Sequence, residues 1–280
     1  MKRTPQQIFG IAAGSLFGAL SLTTSANAMT LVNTELVLSI DTSGSIDASE
    51  YDLQIQGYID AFNSVSIRNQ ISSLNKGVAV AVNTWSSFIN TSAVDNFFHL
   101  TDAASIDQFI SNALTPLRQR PGAFGTNIAA GIEDGTTALL TNDFVGDSLV
   151  IDVSGDGISF GLSALQNARK NAVDNGITIN GLPIGPESIA TYYQESVIGG
   201  TDAFIIPAND FNDFSSAVKT KIGREIATPD PTPTPTPTPD PTPTPTPDIE
   251  STPEPTSLLG LGLIGLAGAG AALKRKQRES

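Results

Sequence analysis

The chain has 280 residues, 40% of them hydrophobic, and it contains no cysteine. This length suffices for one α/β domain of about 200 residues once both ends are set aside. The lack of cysteine excludes disulfides, thiolate metal sites and a cysteine nucleophile.

The formal net charge is −13, and the acidity is concentrated in the interior of the chain. Six of the 15 basic residues and one of the 28 acidic residues lie in the first three and last seven positions, which leaves nine basic against 27 acidic residues and a net charge of −18. Such a negative field repels phosphate backbones and anionic lipid, and it attracts divalent cations. We therefore expect no nucleic-acid partner, and contact with a membrane only through the terminal segments.

Residues 1–28 have the pattern of a secretory signal. Two basic residues precede an apolar run from Ile8 to Leu22, and small residues end at Ala26-Asn27-Ala28. The run is short for a permanent membrane anchor, and the final Ala-x-Ala suits signal peptidase. Cleavage should therefore leave a mature chain that starts near Met29.

A Thr-Pro repeat runs from Thr228 to Pro247, within a linker of residues 228–250. Alternating proline holds φ at about −65° and removes amide donors, so neither a helix nor a paired strand can form. We expect a disordered, extended spacer that reaches on the order of 60 Å at about 3.1 Å per residue.

Residues 251–280 carry Pro253-Glu254-Pro255, an apolar stretch from Leu258 to Leu273 and a basic end. This order resembles the PEP-CTERM sorting signal, which implies processing by an exosortase. The stretch is rich in glycine and alanine and is marginal for a stable transmembrane span, and the positive charges after it hold the end in the cytoplasm. A permanent single-span anchor is the alternative. In either case we expect the preceding domain to lie outside the cytoplasm, at the cell surface or in the extracellular matrix.

Residues 29–227 alternate predicted strands and helices at the spacing of a doubly wound α/β domain, with a mainly parallel sheet and helices on both faces. The first helix opens with a capping box formed by Asp47 and Glu50. The strand candidates are mostly apolar on both faces, as buried parallel strands are. They are Glu35–Asp41, Val78–Trp85, Phe97–Leu100, Ser148–Ser154, Ile177–Ile184 and Ala203–Pro207.

Three polar clusters fall where predicted strands end and loops converge, which is where open parallel sheets bind ligands. They are Asp41-Thr42-Ser43-Gly44-Ser45, Gly125-Thr126-Asn127 and Gly155-Asp156-Gly157. Each cluster alone could be a helix cap or a tight turn. Together, their hydroxyl and carboxylate oxygens suit a hard cation such as Mg²⁺, and the absence of histidine and cysteine among them argues against zinc or copper.

The order Asp-x-Ser-x-Ser, then Thr, then Asp resembles the metal-ion-dependent adhesion site (MIDAS) of von Willebrand A-type (VWA) domains. The resemblance extends from about Thr34 to Ile226 and implies a VWA, Rossmann-like fold. It also implies Mg²⁺ as the ion, with Mn²⁺ or Ca²⁺ as alternatives. The implied metal ligands are Asp41, Ser43, Ser45, Thr126 and Asp156. The segments 151–157 and 179–183 also look like those of an uncharacterised family of exported bacterial VWA proteins.

The third cluster departs from the VWA pattern, because Gly155 stands where a threonine usually precedes the aspartate. Asp152 therefore competes with Asp156 for the third position. A calcium loop that starts at Asp152 has partial EF-hand spacing, but Ser163 stands where its bidentate glutamate belongs.

These features favour a binding protein over an enzyme. The sole histidine, His99, lies in an apolar predicted strand, and the chain has no nucleophile elbow and no phosphate loop. We expect the metal to bridge the domain to an acidic group on an extracellular protein or polysaccharide. A structural matrix or surface-layer component with a stabilising metal site is the alternative, and a hydrolase is a weaker one. Signal peptidase and the exosortase would be partners in processing.

Overall fold

The computed structural model describes residues 29–121 and 124–227. The predicted signal segment, linker and sorting tail, at 1–28, 228–250 and 251–280, lie outside the described residues. Within the described ranges, no helix has the length and apolar character needed to cross a membrane.

A six-stranded, mainly parallel sheet forms the centre of the fold. Its strands are β1 (Thr30–Asp41), β2 (Val78–Trp85), β3 (Ile89–Thr91), β4 (Phe98–Leu100), β5 (Phe144–Gly155) and β6 (Ile177–Pro183). They lie in the order β3-β2-β1-β5-β6, and β4 also pairs with β2. The pairs β1–β2, β1–β5 and β5–β6 are parallel, whereas β3 and β4 run antiparallel to β2. The predicted α/β class with a mainly parallel sheet is confirmed.

Helices cover both faces of this sheet. They are α1 (Ala48–Asn63), α2 (Val65–Ser73), α3 (Ala103–Phe109), α4 (Ile128–Thr141), α5 (Leu162–Asp174), α6 (Glu187–Tyr192) and α7 (Phe214–Glu225). Short π-helical turns extend α3 and α6. Because successive side chains of a strand point to opposite faces, β1 contributes to two cores. Leu36 and Leu38 pack in the core that contains α1, α3 and α7, and Val37 packs in the core that contains α4 and α5.

The start of α1 shows how local sequence positions an element beside the candidate site. The side chain of Asp47 accepts hydrogen bonds from the N–H groups of Ser49 and Glu50, at 2.8 and 2.9 Å. In return, Oε2 of Glu50 accepts a hydrogen bond from the N–H of Asp47 at 2.8 Å. This is the predicted capping box, and it pins the helix directly after the first polar cluster.

One predicted strand is wrong, and one observed strand was not predicted. The segment 203–207 forms only one isolated bridge beside β6, through Ile205, and a second bridge follows it at Ala208. A longer ladder does not form, because Pro207 lacks an amide donor and the N–H of Phe204 bonds to the side chain of Asn180. The short strand β3 was not predicted, since three residues are too few to show an alternating pattern.

Candidate metal centre

Strand β1 delivers Asp41 to the carboxyl edge of the sheet, where its side chain is fully buried. The N–H of Ser43 donates to Oδ1 of Asp41 at 2.7 Å, and Gln54 of α1 donates to the Asp41 carbonyl at 2.9 Å. Thr42 donates to the carbonyl of Trp85 through both its N–H and its hydroxyl, at 2.8 and 2.9 Å. The loop is thus tied to α1 and to the end of β2, which fixes the position of the carboxylate.

The first and third polar clusters meet through side chains. Oγ of Ser43 lies 3.1 Å from Oγ of Ser45, and the Ser45 hydroxyl donates to Oδ1 of Asp156 at 2.7 Å. These contacts join residues that are 111 positions apart in the chain. The oxygens of three predicted ligands therefore form one connected group.

Thr126 reaches the same place from the loop before α4. A Cβ atom at Gly157 would lie 3.3 Å from the Thr126 hydroxyl oxygen, so the threonine packs against the residue that follows Asp156. The Thr126 carbonyl also accepts from the N–H of Phe160 at 2.9 Å. The cap of α4 is Asn127, whose side chain accepts an N–H of the first turn at 3.3 Å. Thr126 is therefore not the residue that caps this helix.

Position 155 has no room for a side chain. A Cβ atom there would lie 2.7 Å from Oδ2 of Asp41 and 2.8 Å from the hydroxyl of Tyr193. The glycine that departs from the VWA pattern is thus explained by this chain's own packing, because Tyr193 fills space beside the buried carboxylate.

Two residues at the centre were missed by sequence reasoning. Tyr193 is fully buried, and Nη2 of Arg120 donates to the carbonyls of Ser43, at 3.0 Å, and of Ile46. Neither residue belongs to a recognisable motif, and each is brought in by a loop far away in sequence. For Arg120, the only signal was its position in the sequence, shortly before the second polar cluster.

Burial raises the pKa of Asp41 to about 8. Hydrogen bonds from Ser43 oppose this shift, the charge of Asp156 adds to it, and the charge of Arg120 reduces it. Burial also raises the pKa of Asp156, against the hydrogen bond from Ser45. Oδ2 of Asp41 is buried and has no hydrogen-bond partner among the described residues. An unpaired buried oxygen of this kind is costly, and a cation at this point would compensate it.

The oxygen donors at this edge fit a hard divalent cation. Two carboxyl groups and three hydroxyl groups are available, which is the ligand chemistry that Mg²⁺, Mn²⁺ and Ca²⁺ prefer. In the part of the chain that the structure describes, no three His, Cys, Asp or Glu side chains are grouped as metal ligands. A centre here would thus depend on its serine and threonine hydroxyls. The residues that would hold the ion are Asp41, Ser43, Ser45, Thr126 and Asp156.

Asp152 lies away from this group. Its Oδ1 is 2.5 Å from Nζ of Lys221 on α7, and both side chains are fully buried. Residues two apart on a strand share a face, so Asp152 lies with Val150 and Ser154 on the side of α1 and α7. The geometry therefore favours Asp156 over Asp152 for the third position.

Comparison with solved structures gives three informative matches. The pilus adhesin SpaC from Lactobacillus rhamnosus GG is 16% identical, with a TM-score of 0.51, over 69% of this chain and 30% of its own. Proximal thread matrix protein 1 from the mussel byssus, solved with a zinc-occupied MIDAS motif, is 16% identical, with a TM-score of 0.51, over 71% of this chain and 47% of its own. The vWF domain of the type V pili tip protein Mfa5 from Porphyromonas gingivalis is 12% identical, with a TM-score of 0.51, over 72% of this chain and 98% of its own.

These similarities show a VWA-like fold. The chain spans less than half the length of the SpaC and mussel chains, so the likeness concerns one part of each. No curated protein matches the sequence. The family model described as "Protein of unknown function (DUF1194)" matches residues 31–230, and the chain belongs to that family.

Proposed function

We propose that the chain is an extracellular, metal-dependent binding protein that holds Mg²⁺ and, through the ion, an acidic group of a partner. One observation carries the proposal: oxygens from three loops come together at the carboxyl edge of the sheet, at the end of the strand that carries Asp41, whose buried Oδ2 has no hydrogen-bond partner within the described ranges. The proposed ligands are Asp41, Ser43, Ser45, Thr126 and Asp156.

The proposed ligands differ in exposure, and the centre is open to solvent on one side. Asp41 and Ser43 are buried, Thr126 and Asp156 are half-buried, and Ser45 is exposed. A group from outside can therefore reach the centre. Three of the five ligands are neutral hydroxyls, which leave the cation short of negative charge, so a carboxylate from a partner is a suitable further ligand.

Exposed apolar side chains border the centre. Phe124 is 75% exposed and Phe160 is 52% exposed, and a Cβ atom at Gly125 would lie 3.3 Å from the Phe160 ring. Apolar patches beside polar groups commonly mark interaction sites, and aromatic residues are frequent binding anchors. Further exposed apolar residues are Phe88 and Ile158 in the adjoining loops and Leu162 at the start of α5.

This apolar border favours a protein partner over a polysaccharide. Phenylalanine, isoleucine and leucine side chains have no polar group to pair with the hydroxyls of a sugar, whereas they can bury the apolar side chains of a peptide. We therefore propose a protein segment in which an apolar residue adjoins the acidic one.

The matched structures support a role outside the cell. SpaC is a pilus adhesin, Mfa5 is a pilus tip protein, and the mussel protein is a thread matrix protein with a MIDAS motif. We transfer from them the general role of adhesion or matrix assembly and no particular partner.

Catalysis is not part of the proposal. Nε2 of His99 lies 2.8 Å from the carbonyl oxygen of Lys76, and β4 pairs with the first residues of β2. The metal centre lies at the other end of β2, beside Trp85. The histidine therefore has a structural contact and is remote from the proposed centre.

A structural matrix or surface-layer component is the second candidate, and the mussel thread protein favours it. In that case the ion would stabilise the three loops without contacting a partner. Chelation would then lower the melting temperature and leave association with envelope material unchanged.

Calorimetric titration of Mg²⁺, Mn²⁺, Ca²⁺ and Zn²⁺ into the mature protein tests the centre. Changes to residues that only support metal ligands lower metal affinity by about 10- to 100-fold. Asp41→Ala and Asp156→Asn remove proposed ligands, so they should lower Mg²⁺ affinity by more than this. Asp152→Asn is the matched control, because it alters a buried aspartate of β5 that contacts Lys221 and not the proposed ligands. Undiminished binding by Asp41→Ala would refute the assignment.

Capture of proteins from native envelope, with and without chelator, then separates the two candidates. A metal-bridged partner is retained by the parent protein with Mg²⁺ and is lost with chelator or in Asp41→Ala. Equal capture under all three conditions would leave only the structural role for the ion.

A further inference from the structure

A buried lysine lies between two buried carboxyl groups on the face of the sheet that α7 covers. Nζ of Lys221 on α7 is 2.5 Å from Oδ1 of Asp152 on β5 and 2.5 Å from Oε1 of Glu225. All three side chains are fully buried. Asn180 of β6 donates to the same Glu225 oxygen at 2.9 Å.

The contact between Lys221 and Asp152 differs from an ordinary buried ion pair. Neither carboxyl oxygen of Asp152 has a hydrogen-bond partner among the described residues, although Nζ lies 2.5 Å from one of them. The ammonium group thus approaches Asp152 closely but outside hydrogen-bond geometry, whereas it does donate to Glu225. Buried ion pairs repay their desolvation only with good geometry and full hydrogen bonding.

The three side chains themselves are closed to solvent, although Asn180, Phe204 and Glu225 also line an adjoining surface pocket. Tyr58 is fully buried and donates to Oγ of Ser154 at 3.0 Å, two residues from Asp152. The ring of Phe204 has its centroid 5.7 Å from Nζ of Lys221. A close amine and carboxyl group in such a setting can react without competition from bulk water.

We propose that Lys221 and Asp152 condense to an intramolecular amide that joins Nζ to Cγ, with Glu225 as the group that moves the proton. Nothing in the proposed metal-dependent function requires this bond, so the two proposals stand or fall separately.

The condensation balances without any further reactant. A proton first passes from the Lys221 ammonium to the Asp152 carboxylate. The amine so formed then attacks Cγ of the Asp152 carboxyl group, and a C–N bond forms. Glu225 takes a proton from Nζ and delivers one to the departing carboxyl oxygen. The C–O bond breaks and water leaves. One ammonium and one carboxylate have then become one amide and one water, and no atom has been oxidised or reduced.

The environment favours the product. Condensation converts two buried charges into a neutral amide, which removes most of their desolvation cost. The reacting groups are held together by the fold, and such intramolecular reactions have effective concentrations of about 10⁵ M or more. Burial, together with the charge of Asp152, raises the pKa of Glu225 to about 8 against the lowering effect of Lys221, so this carboxyl group can hold a proton near neutral pH.

The bond would link two mechanically important elements. Strand β5 lies inside the sheet between β1 and β6, and α7 is the last described element before the Thr-Pro segment. A covalent link from α7 to β5 would transmit a pull on the C-terminal end to the sheet and prevent α7 from peeling away.

Tryptic digestion of the denatured mature protein gives a direct test. An amide on Lys221 blocks cleavage there, so the proposal predicts a branched peptide of residues 119–169 joined to residues 220–224, lighter by one water than the sum of the two linear peptides. Quantitative cleavage after Lys221, with both linear peptides recovered, would show that the proposal is wrong. Because terminal processing does not affect these peptides, the result is independent of it.

Variants provide matched controls. Lys221→Arg keeps the positive charge but cannot form the amide, so it should give only linear peptides. Asp152→Asn can still react, with ammonia as the leaving group, and should give the same branched product as the parent protein. Glu225→Gln should slow the reaction and leave a measurable fraction of linear peptides. A branched peptide in Lys221→Arg would contradict the assignment, and the digest of the parent decides the question even if a variant fails to fold.

Discussion

A Cβ atom at position 155 would lie 2.7 Å from Oδ2 of Asp41, closer than such atoms approach in folded proteins. Residue 155 does not have a positive φ that would itself favour glycine. The glycine is therefore required because the buried carboxylate of Asp41, on the neighbouring strand β1, leaves no room for a side chain. This contact ties the departure from the VWA pattern to the geometry of the proposed metal centre.

Gly155→Ala should accordingly weaken metal binding. The added methyl group displaces the Asp41 carboxylate or Tyr193, and a displaced ligand should cost about tenfold or more in Mg²⁺ affinity. Gly223→Ala is the control, since a Cβ atom there meets its nearest neighbour at 3.5 Å. Titration calorimetry on both variants measures the difference, and equal affinities would mean that the size of residue 155 does not constrain the metal ligands.

Ile151→Asp should unfold the domain at much lower denaturant concentration. Ile151 is fully buried in β5, so an unpaired carboxylate there should lower the free energy of unfolding by about 3 kcal/mol or more. Val145→Asp, on the same strand at a side chain that is 42% exposed, should have a small effect. Urea unfolding compares the two, and a parent-like curve for Ile151→Asp would overturn the placement of β5 inside the sheet.

The apolar border should contribute to partner binding and not to metal binding. Phe124→Ser and Phe160→Ser each remove an exposed aromatic anchor, so partner affinity should fall about tenfold or more while Mg²⁺ affinity stays unchanged. Val65→Ser removes an apolar side chain of α2 that is 74% exposed and should change neither quantity. Affinities measured with the captured partner test this, and parent-like binding by both phenylalanine variants would exclude the border from the interface.

The two terminal segments predict processing at both ends. The mature protein should start near Met29 and lack the stretch from Leu258 onward, because the N-terminal segment fits signal peptidase and the C-terminal one resembles a sorting signal. Intact-mass measurement of native material checks both ends together. Retention of Leu258–Leu273 would favour the permanent anchor instead.

Local patterns were sufficient for much of the fold. The bounds of β2 were predicted from an apolar run between turn residues, and the capping box of α1 is a motif within four residues. The segment 203–207 has the composition of a strand, yet it pairs only at one position beside β6. Amino-acid composition does not determine whether a segment adds a strand to the edge of a sheet. Pairing also depends on the backbone hydrogen-bond partners that the segment and the adjacent strand present to each other.

For the metal centre, the sequence by itself determined which oxygen-bearing side chains stand at the ends of predicted strands, and in what order. It assigned the third position to Asp156 but left Asp152 as a competing choice. A strand buried on both faces has no amphipathic alternation, so its sequence does not reveal which side chains point to which face.

Only the tertiary structure separates the two aspartates, because the pairing of β5 with β1 and the packing of α7 against one face place Asp152 beside Lys221. It likewise brought Tyr193 to Asp41 and Lys221 to Asp152. These contacts join residues far apart in the chain, and no local propensity encodes them, because they exist only once several elements have packed around a common core.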